Sequence, residues 1–140
     1  MNNKQVENQV NYWYLSASHD YKTMKGLFRL RRYSDSLFYG HLVLEKIIKA
    51  IIVAQDFKAA PISHDLCMLM KKANPQVSEN ELFFLKKVNQ FNIRTRYPDY
   101  KLQFYKICNY NYCNYYLSQI KILYNKLCQQ EKLNKLLKNT

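Results

Sequence analysis

The stretch "FNIRTRYPDYK" (91–101) gathers the side chains best suited to chemistry on an anionic ligand. Arg94 and Arg96 each present a planar fork of donors that matches a phosphate group, and Lys101 adds a point charge. Tyr97 offers a ring on which a base can stack and a hydroxyl that can donate. Phosphate binding, to a nucleotide or an RNA backbone, is the chemistry this set predicts. Proton transfer near neutral pH calls for a group such as histidine. The three histidines, His19, His41 and His64, all lie far upstream, and tyrosine hydroxyls ordinarily ionise near pH ~10. The stretch therefore reads as a binding corner rather than a catalytic one.

A second set is dispersed. Asp20, Glu45 and Lys49 fall where helices would carry them inward, and a polar network between the first, second and fourth helices is expected, with His64 near it. A buried acid needs a partner, and an arginine such as Arg96 is the candidate. That would make Arg96 a structural clamp and leave Arg94 the freer phosphate contact. His41, on an apolar face, reads as a hydrogen-bonded core histidine. His64-Asp65 opens a helix, where Asp65 suits the helix dipole and His64 is expected to satisfy a local backbone group. Lys86 and Lys87 extend the basic surface.

Four cysteines are present, Cys67, Cys108, Cys113 and Cys128. Only Cys108 and Cys113 are close, and five residues along a helix turn them about 140° apart. Buried free thiols are expected, with no metal and no cofactor.

The elements that must position these groups are helices. The chain has 140 residues, enough for one domain with a real core, and 48% are hydrophobic. Two glycines and three prolines are too few for a turn-rich β fold. A first helix is predicted over 10–30, with Trp13, Ala17, Tyr21 or Met24, Leu27 and Leu30 on its inner stripe, after a polar tail over 1–9. A second runs over 33–55 on Leu37, His41, Leu44, Ile48, Ile51 and Ile52, capped by Ser34 or Asp35. Ser63 starts a third through Leu66, Leu69 and Met70. A fourth covers 78–97, with Ser78 and Glu81 as a capping box, and Pro98 stops it. A last long helix spans 102–137, including Ile107, Tyr110, Cys113, Leu117 and Ile120 on its inner side, before a tail at 138–140. The tyrosines of "CNYNYCNYYL" read as amphipathic filler. The expected fold is an all-α, up-and-down antiparallel bundle of about five helices in a single domain over 1–140.

Formal charge is +12 and uneven. Residues 1–81 carry 11 basic and 8 acidic side chains, whereas 82–140 carry 11 basic against only Asp99 and Glu131. A surplus of that kind favours nucleic acid, nucleotide phosphates or an acidic protein as partner. No apolar run approaches the ~20 residues of a membrane span, and "MNNKQVENQV" lacks the apolar core of a signal peptide. A cytoplasmic protein with no membrane partner and reduced thiols is expected.

The order of four segments adds a resemblance. Trp13, Ala17 and Asp20 on the first helix are followed by "RRYSDSLFYGHLVLEKIIKAIIV" (31–53), with Glu45-Lys46 and Lys49-Ala50; then come "PISHDL" (61–66) and "RYPDY" (96–100). From about residue 10 to 127 the chain resembles the HEPN family, the "higher eukaryotes and prokaryotes nucleotide-binding" domains. The resemblance implies a bundle of four to five helices, usually a homodimer, often beside a nucleotidyltransferase as partner in toxin–antitoxin or stress systems. Several branches of the family are metal-independent endoribonucleases whose signature is an arginine followed four to six residues later by a histidine. Counting from Arg94 the histidine would stand at Asp99, Tyr100 or Lys101, and from Arg96 at Lys101, Leu102 or Gln103; none is histidine. The expectation is a non-catalytic nucleotide- or RNA-binding module, with a rearranged ribonuclease site using His64, or a pure interaction or scaffold subunit, as alternatives.

Overall fold

In a computed structural model of the chain, residues 1–138 are described, apart from the side chains of Pro98, Asp99 and Lys138. The helices are α1 (Asn3–Arg29), α2 (Tyr33–Asp56), α3 (Leu66–Ala73), α4 (Glu79–Arg96), α5 (Pro98–Ile107), α6 (Tyr110–Leu127) and α7 (Glu131–Lys138). Among the described residues there is no strand, and none of the helices is long and apolar enough to cross a membrane. The all-α antiparallel bundle stands, with seven helices among the described residues in place of about five.

α2 is the element around which the others assemble. Sixteen of its 24 residues are buried, so its apolar surface runs nearly all round, and α1, α3, α4, α5, α6 and α7 all touch it. Side chains such as Leu44, Ile47, Ile48 and Ile52, at most 1% exposed, each contribute about 1.5–3 kcal/mol of burial. Gly40 lets α2 approach its neighbours: a Cβ there would meet Ile120 Cδ1 at 2.7 Å and Met24 Sδ at 3.5 Å.

The N-terminal stretch expected as a tail is helical from Asn3, because Asn2 and Gln5 form a reciprocal capping box and Val6 and Val10 are fully buried. At the other end of α1, Leu30 is 72% exposed rather than on the inner stripe. The helix closes in a Schellman turn, with Arg31 N–H donating to the Phe28 carbonyl and Arg32 N–H to that of Leu27. Arg31 occupies the left-handed position of that turn at φ 61°. Neither Ser34 nor Asp35 caps α2; the N-cap is Arg32, no side chain bonds the first-turn amides, and Asp35 instead pairs with Arg32 at 3.0 Å.

α3 starts at Leu66, three residues later than Ser63, because Asp65 is the cap and accepts from Cys67 N–H at 3.0 Å. Ser78 caps α4, accepting from Glu81 N–H at 3.1 Å. Pro98 does end α4, and it also opens α5, where a residue without an N–H fits the first helical position. The long last helix is in fact three. Asn109 accepts from Tyr112 N–H at 2.9 Å, capping α6 and ending α5, and a turn at 128–130 separates α7. The break turns Ile107 and Tyr110 outward, 43% and 53% exposed, and leaves Cys108 at the cap between α5 and α6 with Cys113 on α6, both still buried. Residues 139 and 140 of the expected C-terminal tail lie outside the described residues, and Lys138 closes α7.

Candidate functional site

Arg94 and Arg96 leave the end of α4 in different directions. Two residues along a helix rotate them by about 200°. Arg94, half-buried, lies over the Phe104 ring with its guanidinium carbon 5.9 Å from the centroid, and its charge reaches the Cys108 thiol. Arg96 is exposed and turns the other way, its Nη1 donating to Asn92 Oδ1 at 3.3 Å. Tyr97 is 56% exposed between α4 and α5, and the exposed Lys101 sits 5.8 Å from the Tyr105 centroid. The four residues of the corner thus serve two surfaces rather than one clamp. The expected roles of the arginines are also not those observed: Arg96 holds neither Asp20 nor Glu45, nor any other acid among the described side chains, and Arg94 is the more enclosed of the two.

Glu45 receives the buried contacts that Arg96 was expected to make. Its Oε2 accepts from Lys49 Nζ at 3.1 Å, with both side chains at most 6% exposed, and Lys49 lies 5.0 Å from the Trp13 ring centroid. Its Oε1 lies 2.9 Å from His64 Nδ1. A carboxylate only accepts, so Nδ1 carries the proton and Nε2 is the ring nitrogen left free. His41 completes the cluster: its Nε2 lies 2.9 Å from the His64 carbonyl, which makes Nε2 the donor. His41 Nδ1 has no hydrogen-bond partner and stands 3.9 Å from Glu45 Oε1. Burial holds the His41 imidazole below its usual range, opposed in part by the Glu45 carboxylate and the His64 carbonyl. His41 is thus the core histidine expected, and it secures the loop that delivers His64.

Asp20 belongs elsewhere. It pairs with Lys46 at 2.5 Å, Lys46 also donating to Ser16 Oγ at 2.8 Å, on the α1–α2 face. The expected network is therefore two clusters, Glu45–Lys49–His64 and Asp20–Lys46, both closed by lysine.

The His64 ring, 63% exposed, forms one wall of an open groove of about 490 Å³ between the start of α3 and α4. Lys86, Asn89, Asn92 and Ile93 of α4 form the other wall. Asn89 fixes the groove's shape by accepting from Leu66 N–H at 3.0 Å and donating to Asp65 Oδ1 at 2.9 Å. Asn92, 7% exposed, is steered by Arg96. Asn89 and Asn92 were not singled out as site residues. Their signal was available: two amides three residues apart on the inner side of an otherwise apolar helix face. Among the described residues no group of three or more His, Cys, Asp or Glu side chains is placed to hold a metal ion.

The molecule is thus a small all-α bundle with an amide-lined groove, bordered by Lys86 and by a histidine held by a buried acid, and with Arg96 bonded to the groove's Asn92. Residues 10–132 match the family model of the HEPN domain, and the chain belongs to that family. Its fold is similar to that in the crystal structure of TT1696 from Thermus thermophilus, with a TM-score of 0.71 at 17% identity over 92% of this chain and 98% of that one. No curated protein matches the sequence.

Proposed function

We propose that the domain binds a nucleotide or a short run of RNA in the α3–α4 groove without cleaving it. The observation that carries this reading is the groove itself, which joins an apolar wall at Ile93, the side-chain amides of Asn89, Gln90 and Asn92 and the Lys86 cation at one opening, with Arg96 bonded to Asn92. A base would lie against Ile93 beside Asn92, and Lys86 and Arg96 would meet its phosphates. Tyr97 and Lys101 would continue the contact along α5, and Arg94 would offer a separate phosphate contact on its own side of α4. Membership of the HEPN family supports a nucleotide- or RNA-binding type of module. The domain would work in the cytoplasm as a homodimer with a nucleotidyltransferase-type partner; measuring the solution mass, alone and with such a partner, tests that part.

The binding reading is tested by titrating fluorescent single-stranded RNA and ATP at about 50 and 200 mM salt, where loss of phosphate contacts should show as a steep fall in affinity. Lys86→Ala and Arg96→Ala should each weaken binding and flatten the salt dependence. Affinity that ignores both salt and the two substitutions would refute the reading.

The Glu45–His64 bond favours a second reading, metal-independent cleavage of RNA. His64 Nε2 would take the proton of a ribose 2′-hydroxyl, the O2′–P bond forming as P–O5′ breaks and the departing O5′ taking a proton from water. Incubation with mixed RNA in a chelator, beside His64→Gln, decides between the two readings. Cleavage abolished in the variant supports the second, and intact RNA supports the first.

A further inference from the structure

A second pocket, of about 250 Å³, lies at the turn between α1 and α2, on the side of the molecule towards which Arg94 points. Arg31, Arg32, Ser34 and Asp35 line it from the turn, and Tyr105 and Cys108 close it from α5. No residue of the α3–α4 groove takes part.

Three observations on this pocket agree. The first turn of α2 has no capping side chain, and the Tyr33, Ser34 and Asp35 N–H groups have no partner among the described residues. Helix amides in that state carry partial positive charge at the end of a 24-residue helix, and they favour an anion. Ser34 is only 7% exposed and lines the pocket, yet its hydroxyl bonds to no described residue. The hydroxyl oxygen is open to the pocket rather than sealed in the core, so it is free to donate to a ligand oxygen there. Finally, Arg31 has no acidic partner among the described residues. Arg32 is different: its Nε and Nη2 hold Asp35 Oδ2 at 3.1 and 3.0 Å, which turns the one carboxylate of the pocket onto a guanidinium and away from the free amides. The local balance of Arg31, Arg32 and Asp35 is one net positive charge, added to the helix end.

We infer that this pocket is a phosphate-binding site, in which the Tyr33–Asp35 amides and the Ser34 hydroxyl grip the oxygens and Arg31 supplies the countercharge. The volume suits a single phosphate group, and the exposed Tyr105 ring at its rim suits a base or sugar attached to it. The inference does not rest on the groove, and each can fail alone. A phosphate here can come from the backbone of a nucleic-acid strand or from a free phosphate monoester.

The test is a titration of the full chain with inorganic phosphate, followed by the amide resonances of Tyr33, Ser34 and Asp35, against sodium chloride at matched ionic strength. Saturable shifts of these three amides with phosphate and not with chloride are expected. Arg31→Gly removes the cation while suiting the left-handed backbone, so the fold is kept, and Ser34→Ala removes only the hydroxyl. Each should weaken phosphate binding by roughly tenfold, the worth of one hydrogen bond to a charged group. Two further arms, a short oligonucleotide lacking terminal phosphates and a nucleoside monophosphate, distinguish the sources: the one that moves these amides at the lower concentration is the physiological form. Amides that stay still, shifts reproduced by chloride, or unchanged affinity in Arg31→Gly would overturn the inference.

Discussion

Glu45 Oε1 and His64 Nδ1 lie 2.9 Å apart, joining the middle of the central helix to the loop before α3. The same carboxylate holds Lys49, and through His64 it sets one wall of the groove. One buried acid thus supports both the core and the site.

Loss of Glu45 leaves Lys49 charged and unpaired at 6% side-chain exposure. Glu45→Ala should cost about 3–5 kcal/mol in urea unfolding, the scale for breaking a buried pair from one side. Adding Lys49→Met should restore much of that loss. A double variant no more stable than the single one would show that the charge left behind is not the cause.

His41 is fully buried, and burial lowers its pKa from 6.5. The unfolded chain therefore takes up a proton that the folded chain resists. The stability gained by keeping His41 neutral is in full above pH 6.5 and is lost as pH falls from there towards the lower folded value. Unfolding measured from about pH 7 to 5 should show wild type losing stability faster than His41→Gln, although the variant starts lower. Parallel curves would mean that another group carries the acid sensitivity.

Arg31 holds φ 61° in the turn after α1, a conformation that costs a residue with a Cβ about 1–2 kcal/mol. Arg31→Gly should raise the melting temperature, with a gain of about 1 kcal/mol after glycine's greater unfolded entropy is counted. The substitution that stabilises the fold is thus the one expected to disable the phosphate pocket.

Burial pushes the Cys108 and Cys113 thiols up to about 12. Thiolate is the reactive form, so at about pH 8 both should be alkylated far more slowly in native protein than in urea. Cys67, less buried and raised less, should react first of the four. Mass spectrometry of a timed iodoacetamide reaction gives the order.

Phe104 is the only buried residue among the described side chains of α5, its ring 5.7 Å from that of Phe91. Phe104→Ala should cost about 3–5 kcal/mol if α5 unfolds together with the bundle. A smaller loss, with fast hydrogen exchange confined to 98–107, would mark α5 as a separately opening unit.

Much of the bundle was legible in the sequence because burial writes itself as period. α2 shows it best: Leu37, His41, Leu44, Ile48, Ile51 and Ile52 form the predicted stripe, and all are buried. Ser78 and Pro98 marked the ends of α4 through local chemistry, a hydroxyl that caps and a ring that cannot continue a helix. Periodicity is blind to a break that keeps the phase roughly intact, so 102–137 read as one helix. Only the Asn109 cap and the turn at 128–130 divide it.

The sequence by itself determined the helical class, the family, the surplus of positive charge in the second half, and the identity of the residues that bring charge and polarity inward. Pairing between them was decided by the tertiary structure. Lys49 and Lys46, not Arg96, neutralise Glu45 and Asp20, because α2 faces α1 and the loop before α3 at those levels. The two arginines of "FNIRTRYPDYK" were adjacent on paper and diverge in space, since a helix turns about 100° per residue and α5 folds back against one side of α4. Charge and residue type are properties of the chain, whereas direction is set by the element that carries a side chain and by what packs beside it.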